Sequence, residues 1–185
     1  GHGHVPEKYS KFAYSTRFGF SVAKSQIVLH ENAPDSALAF VIDGDDYVFV
    51  RKVSDSYEIN DGKVVSTWTP FPGITVKSTI IPEENGHRRI HEIDSSYDCI
   101  AYDCGFSVEK FTEGYEEKTQ GTSASVSYTK QGCTVTGQGP EAKGIVINSD
   151  PNTNVLYPNA SIPGVSYRIE KGKTRIETVV DCFYN

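Results

Sequence analysis

The stretch GHRRIHEID (86–94) places His87, Arg89 and His91 at every second position. Side chains at alternate positions of a strand share one face, so these three would form a row about 13 Å long. That span is too wide for one metal ion to join the two imidazoles. The row suits a carboxylate-bearing ligand or a neighbouring domain. The alternative interpretation is an ordinary solvated outer face of a half-buried strand.

A second candidate site is the aromatic-rich stretch KYSKFAYSTRFGF (8–20), which also alternates. As a strand it puts Phe12, Tyr14, Phe18 and Phe20 on one face. Such a face, Tyr14 included, is either ordinary core or a platform for a sugar ring. Trp68, in STWTPFPG, has the same two interpretations: it stacks on a sugar or it anchors the core.

Metal binding and acid–base catalysis have fewer candidates. His2 and His4 would lie about 6–7 Å apart on one strand face and could chelate a metal. The alternative is a flexible terminal segment or a cloning remnant. Acidic residues also cluster at predicted turns, where they are common for backbone reasons alone, so we assign no catalytic residue. These acidic residues are Asp43, Asp45, Asp46, Glu83 and Glu84.

Charge and composition exclude several classes of function. The net charge of −6 argues against nucleic acid or an anionic membrane as a partner, and no apolar run is long enough to span a bilayer. GQGPEA (137–142) resembles a dinucleotide motif but continues as a strand, where a helix is required. We therefore predict no cofactor.

The four cysteines are spaced unlike any zinc site. Cys104 alternates with apolar residues and is predicted to be a buried thiol, whereas the disulfide state of Cys99, Cys133 and Cys182 stays open. Asn159 begins a glycosylation sequon, which on its own does not establish secretion. Few cysteines and no leader favour the cytoplasm, although a removed upstream segment could have carried a signal.

Nearly every segment of the chain alternates with period two, and turn signals recur every 8–12 residues. This pattern predicts an all-β fold, a large antiparallel two-sheet β-sandwich of ten to thirteen strands with little or no helix. We expect hairpins around residues 43–46 and at Lys171-Gly172, and the longest loop at 149–164.

Several stretches together resemble one family: KYSKFAYSTRFGFSV (8–22), DSALAF (35–40), VVSTWTPFPGITVKSTIIP (64–82) and GHRRIHEIDSSYDCIAYDCGFSV (86–108). They are similar to the C-terminal part of the domain of unknown function 2264 proteins of fungi and bacteria. The resemblance implies a heparinase II/III-like architecture, in which an N-terminal α/α toroid precedes an antiparallel β-sandwich. It also implies a relation to glycoside hydrolases that act on uronic-acid sugars.

On this basis we expect residues 1–185 to be one β-sandwich domain from a longer protein, in keeping with the absence of methionine. The module would be non-catalytic and would pack through an apolar sheet face on the toroid, which supplies most of the cleft. Lys11, Ser15 and Arg17 would then face an acidic oligosaccharide. One alternative is a free-standing glycan-binding module that uses Trp68 or exposed tyrosines. Another is an enzyme that uses carboxylates in its own groove.

Overall fold

The computed structural model describes residues 19–23, 26–30, 38–44, 48–50, 56–106, 108–110, 113–149 and 160–184. Within these ranges the chain forms strands and no helix, which confirms the predicted all-β class. No helix in the described ranges is long and apolar enough to cross a membrane. The strands are β1 Gly19–Ala23, β2 Gln26–His30, β3 Leu38–Ile42, β4 Val48–Val50, β5 Ser56–Asn60, β6 Lys63–Phe71, β7 Ile74–Glu83, β8 Gly86–Ser95, β9 Cys99–Cys104, β10 Val108–Glu109, β11 Glu116–Gln120, β12 Ser123–Tyr128, β13 Gln131–Gln138, β14 Lys143–Ser149, β15 Ala160–Ile169 and β16 Gly172–Tyr184.

The strands form two eight-stranded sheets. Sheet A has the order β1-β2-β14-β15-β9-β3-β4, with β10 beside β15, and sheet B has the order β11-β12-β13-β16-β8-β7-β6-β5. Among the described strands, pairing is antiparallel except for a short parallel contact between β14 and β2. The sixteen described strands exceed the predicted number because short strands such as β4 and β10 carry too few residues to show alternation.

The predicted hairpin around residues 43–46 is present. β3 pairs with β4 across the turn that begins at Asp43, and β6, β7 and β8 follow one another as a meander. Strands β5 and β6 join at Asp61-Gly62, where both residues have positive φ (53° and 75°). This is the backbone that a two-residue hairpin loop requires and that Asp-Gly readily adopts.

The predicted hairpin at Lys171-Gly172 is wrong. β15 pairs with β14 and β9 in sheet A, whereas β16 pairs with β13 and β8 in sheet B. The turn therefore carries the chain from one sheet to the other. A tight turn between two alternating strands has the same sequence pattern in both cases, because alternation does not identify the partner strand.

The core lies between the two sheets and contains Phe40, Trp68, Ile74, Val135 and Tyr167. Sheet B alternates cleanly: on β7, Ile74, Val76 and Ser78 point inward, and Thr75 and Lys77 point outward. Sheet A is different, because residues 101–105 and 161–165 are buried at every position. Such continuous burial is typical of strands that are covered on both faces.

Candidate functional site

A buried carboxylate, Asp103, joins the two sheets at the centre of the sandwich. Asp103 lies on β9 of sheet A and is fully buried. Its Oδ1 accepts a hydrogen bond from Arg89 Nη1 at 2.7 Å, and its Oδ2 lies 3.1 Å from His91 Nε2. Arg89 and His91 belong to β8 of sheet B, so these contacts cross the core. Arg89 Nη1 also donates to the Cys104 carbonyl oxygen at 2.8 Å.

This geometry corrects the predicted position of the Arg89–His91 row. The two side chains do share one strand face, as their spacing predicts, but that face points into the core. Arg89 is 4% exposed and His91 is 2% exposed, so neither the predicted ligand contact nor a solvated outer face fits them. A charged row is tolerated between two sheets only when it is paired, and Asp103 on the facing strand provides the pairing.

Two further side chains extend the contacts across sheet B. Trp68 Nε1 donates to Ser78 Oγ at 2.9 Å, and Ser78 Oγ lies 2.7 Å from His91 Nδ1. Since the indole can only donate, the Ser78 hydroxyl is free to donate to His91 Nδ1. A carboxylate can only accept, so His91 Nε2 donates to Asp103. We call Trp68, Ser78, Arg89, His91 and Asp103 the Asp103 network.

The electrostatics of the network favour an ionised Asp103. Burial alone would raise the pKa of this carboxyl, but the Arg89 charge and the hydrogen bonds from His91 and Thr178 outweigh burial and hold the pKa well below its usual range. Together, the Arg89 cation and the Asp103 anion leave the pair electrically balanced, so the network can remain in a dry interior.

Ser78, His91 and Asp103 have the residue types of a nucleophilic triad. However, Ser78 and Asp103 are fully buried, and the Ser78 oxygen already accepts the Trp68 hydrogen bond. A nucleophile must reach its substrate, and this hydroxyl lies between the sheets. The arrangement therefore holds the two sheets together, and no catalytic step is assigned to it.

His87 continues the same row to the end of the sandwich, where it is only half-buried. Its Nε2 accepts a hydrogen bond from Arg89 Nε at 2.9 Å, so its own proton resides on Nδ1. Burial and the nearby Arg89 charge lower the pKa of His87. The ring contacts Phe106 edge-on, with centroids 6.3 Å apart. His87 is thus a neutral donor beside a buried cation, and in the predicted His87–Arg89–His91 row it alone reaches solvent.

The outer face of sheet B is charged. A groove of about 420 Å³ crosses it over strands β6, β7, β8 and β16. Cations and anions alternate across the strands, since Lys77 and Arg175 both lie opposite Glu92, and Lys173 lies opposite Asp94. Among the residues that the structure describes, no aromatic ring lines this groove. This part of the outer face of sheet B is therefore polar, unlike the predicted apolar docking face.

The remaining site predictions divide into two groups. Trp68 is 1% exposed and packs on Phe40 with ring centroids 6.5 Å apart, so it anchors the core and cannot stack on a sugar. In the described ranges, no three histidine, cysteine, aspartate or glutamate side chains come close enough to hold a metal ion. Residues outside the described ranges include His2, His4, Lys11, Tyr14, Ser15, Arg17 and Asn159.

Sequence reasoning missed Ser78 and Asp103. The available signal was Asp103 itself, because a single carboxylate in the otherwise apolar run CIAYDC (99–104) needs a buried partner. The predicted burial of the Cys104 thiol is confirmed, and all four cysteines are free.

Comparison with known proteins gives a family and a fold. The family model described as the DUF2264 C-terminal domain matches residues 3–184. No curated protein matches the chain. Solved structures with the same fold include a heparinase III, with a TM-score of 0.55 and 8% identity over 79% of this chain. The heparan sulfate lyase HepC from Pedobacter heparinus has a TM-score of 0.56 and 7% identity over 88% of this chain.

This chain matches very different shares of the solved structures. The chain spans only 23% of that heparinase III and 31% of HepC. It spans 82% of a putative aldose 1-epimerase from Escherichia coli, with a TM-score of 0.52, 8% identity and 95% of this chain covered. At such identities the similarity establishes the fold alone. The same sandwich therefore occurs both as a small part of a long chain and as most of a short one.

Proposed function

The chain belongs to the DUF2264 C-terminal domain family, and from this premise we propose that it is the non-catalytic β-sandwich of a longer carbohydrate-active enzyme. The proposal rests on the matched lengths: most of this chain matches only about a quarter to a third of each heparinase III or heparan sulfate lyase. An upstream toroid would supply the catalytic cleft for an acidic oligosaccharide. The Asp103 network supports a structural role, because its charged and hydrogen-bonding groups are buried and bind each other across the two sheets.

The surface we propose for docking the toroid is one end of the sandwich, which we call the His87 end and define as His87, Phe106 and Phe183. Phe106 is 37% exposed and Phe183 is 44% exposed, although both are large apolar side chains. Phe183 lies over Gly132, on the strand next to β16, and Phe106 contacts His87. Phe183 projects from the outer face of β16, at the other end of the strand from the charged groove at Lys173 and Arg175. Exposed aromatic groups are better suited to a partner domain than that groove is.

His87 would then stand at the junction of the two domains. Its Nδ1–H can donate to a sugar hydroxyl or carboxylate, because the hydrogen bond from Arg89 to Nε2 leaves the ring proton on Nδ1. Two alternative functions remain. A free-standing glycan-binding module could not use Trp68 to stack on a sugar, because Trp68 is buried. An autonomous enzyme would need an accessible carboxylate pair and turnover by this chain alone.

The first test is the reading frame upstream of Gly1. We expect several hundred residues with helical periodicity, since the proposal needs a toroid there. A start codon or a signal peptide immediately before Gly1 would refute the two-domain proposal and leave the fold intact.

The second test uses the full-length protein and uronic-acid oligosaccharides. Phe106→Ser combined with Phe183→Ser should lower kcat/KM at least tenfold and separate the melting of the two domains, because the apolar contact is lost. His87→Ala should also lower kcat/KM, because the Nδ1–H donor at the domain junction is lost. The matched control is Ile59→Ser, which removes an apolar side chain that is 74% exposed elsewhere. Equal effects of Ile59→Ser and the phenylalanine pair would show that the His87 end is not the docking surface.

A further inference from the structure

Two of the four free cysteines face each other across neighbouring strands. Cys133 on β13 is paired in register with Cys182 on β16. The Cys182 N–H donates to the Asn85 carbonyl oxygen at 2.7 Å, on the opposite side of β16 from β13. Backbone N–H and C=O groups of one strand residue point the same way, so Cys133 and Cys182 form a non-hydrogen-bonded pair. In such pairs the Cα atoms are about 4.5 Å apart, which a disulfide can span.

The two thiols are already in contact. A side-chain hydrogen bond between them raises the pKa of Cys133 and lowers that of Cys182. The Phe106 N–H also donates to Cys133 Sγ at 3.4 Å. Cys133 is buried, whereas Cys182 is partly exposed. The pair therefore has one sulfur within reach of solvent and one held behind it. Cys99 and Cys104 are both fully buried, Cys99 beside Ser95 and Cys104 against Gly164.

We propose that Cys133 and Cys182 are a redox-active dithiol that low-molecular-weight disulfides oxidise to a cross-strand disulfide. The Cys182 thiolate attacks one sulfur of the external disulfide, which forms a mixed disulfide and releases one thiolate. The Cys133 thiolate then attacks Cys182 Sγ, forms the Cys133–Cys182 bond and expels the second external thiolate. Two protein thiols lose two electrons and two protons, and the external disulfide is reduced to two thiols.

The surroundings set the order and the speed of the two steps. Burial raises the pKa of Cys133 to about 12 and also raises the pKa of Cys182, but the hydrogen bond with Cys133 favours the thiolate of Cys182. Cys182 is also the more exposed of the two, so it is the attacking sulfur and the buried Cys133 is the resolving one. Because the thiolate reacts, oxidation is slow near neutral pH and accelerates as the pH rises. The resulting bond would tie β13 to β16 beside Phe183 and does not depend on the proposed carbohydrate function.

The test is oxidation of the folded 185-residue chain with oxidised glutathione at about pH 8, where thiolate populations begin to rise. We expect the loss of two free thiols, a mass lower by two hydrogen atoms, and a peptide that joins Cys133 to Cys182. The thermal midpoint should rise by about 5 °C or more, since the bond closes a long loop, and dithiothreitol should reverse the rise.

Single variants separate the two roles. Cys133→Ser should keep a stable glutathione adduct on Cys182. Cys182→Ser should form no internal disulfide, and it should react with glutathione disulfide much more slowly than Cys133→Ser does. Cys99→Ser is the matched control and should oxidise like the parent chain. Should Cys133→Ser fail to fold, the peptide map of the parent chain decides alone. Four free thiols after treatment, or a bond that joins any other two cysteines, would overturn the proposal.

Discussion

Replacing Asp103 with asparagine tests whether the Asp103 network holds the two sheets together. The substitution preserves the size of the side chain and removes its charge. Arg89 would then remain buried with no counterion, and one of the hydrogen bonds to the former carboxylate would lose its acceptor. The Arg89 side chain cannot shed its proton, so the fold must tolerate the charge or rearrange.

The expected cost follows from burial. Removing one partner of a buried ion pair typically destabilises a protein by about 3–5 kcal/mol. Asp103 and Arg89 are both almost completely buried, so screening by solvent does not reduce that range. In a domain of this size, each kcal/mol lowers the thermal midpoint by about 2–4 °C, which predicts a fall of roughly 6–20 °C.

The assay is urea unfolding followed by tryptophan fluorescence, because Trp68 is the only tryptophan in the chain and is buried. Asp43→Asn is the matched control, since it makes the same chemical change in the surface pair with Arg168. Exposed pairs contribute about 0–1 kcal/mol, so the control should unfold close to the parent midpoint.

A double variant distinguishes the loss of pairing from general disruption. Arg89→Met combined with Asp103→Leu removes both charges and should destabilise the chain by less than the sum of the single changes, because no charge stays unpaired. The reasoning would be refuted if Asp103→Asn unfolded at the same urea concentration as Asp43→Asn, or if the double variant lost at least the full sum.

The remaining predictions concern pH and hydrogen bonding. The folded state holds the pKa of Asp103 below its ordinary value of 3.8, so its contribution to stability is complete above about pH 5 and declines as the pH falls below 4 towards the folded-state pKa. In Asp103→Asn the free energy of unfolding should depend less on pH below about 4 than in the parent chain. An unchanged pH dependence would show that another carboxyl causes the loss of stability in acid. Ser78→Ala leaves the Trp68 N–H and His91 Nδ1 without their shared partner and should cost about 1–3 kcal/mol, with altered Trp68 emission. Ser125→Ala, on half-buried β12, should change neither the urea midpoint nor the Trp68 emission.

Period-two alternation predicts the all-β class and the hairpin of β3 and β4 because these are local properties of the chain. The pairs β6–β7 and β7–β8 join strands that are neighbours in sequence, and the alternation of polar and apolar residues in each strand is visible in the sequence itself. The family resemblance likewise depends on the order of residues along one chain, and the matched family model confirms it.

Local sequence does not determine whether a strand face packs against the other sheet or faces solvent. The spacing of Arg89 and His91 predicts one shared face, but only the position of Asp103 on the other sheet shows that this face is interior. Lys171-Gly172 illustrates the same gap, because a turn within a sheet and a turn between sheets need the same residues. Both errors arise where the chain or a side-chain contact passes from one sheet to the other.

The placement of β16 has a consequence for biosynthesis. β5 to β8 form one half of sheet B and β11 to β13 the other, and β16 lies between β8 and β13. Both halves leave the ribosome before the strand that joins them, with β8 and β13 each presenting an unpaired edge that invites aggregation. Completion of sheet B must therefore wait until β16 has been translated, so a nonsense mutation after Ile169 would leave two separate half-sheets.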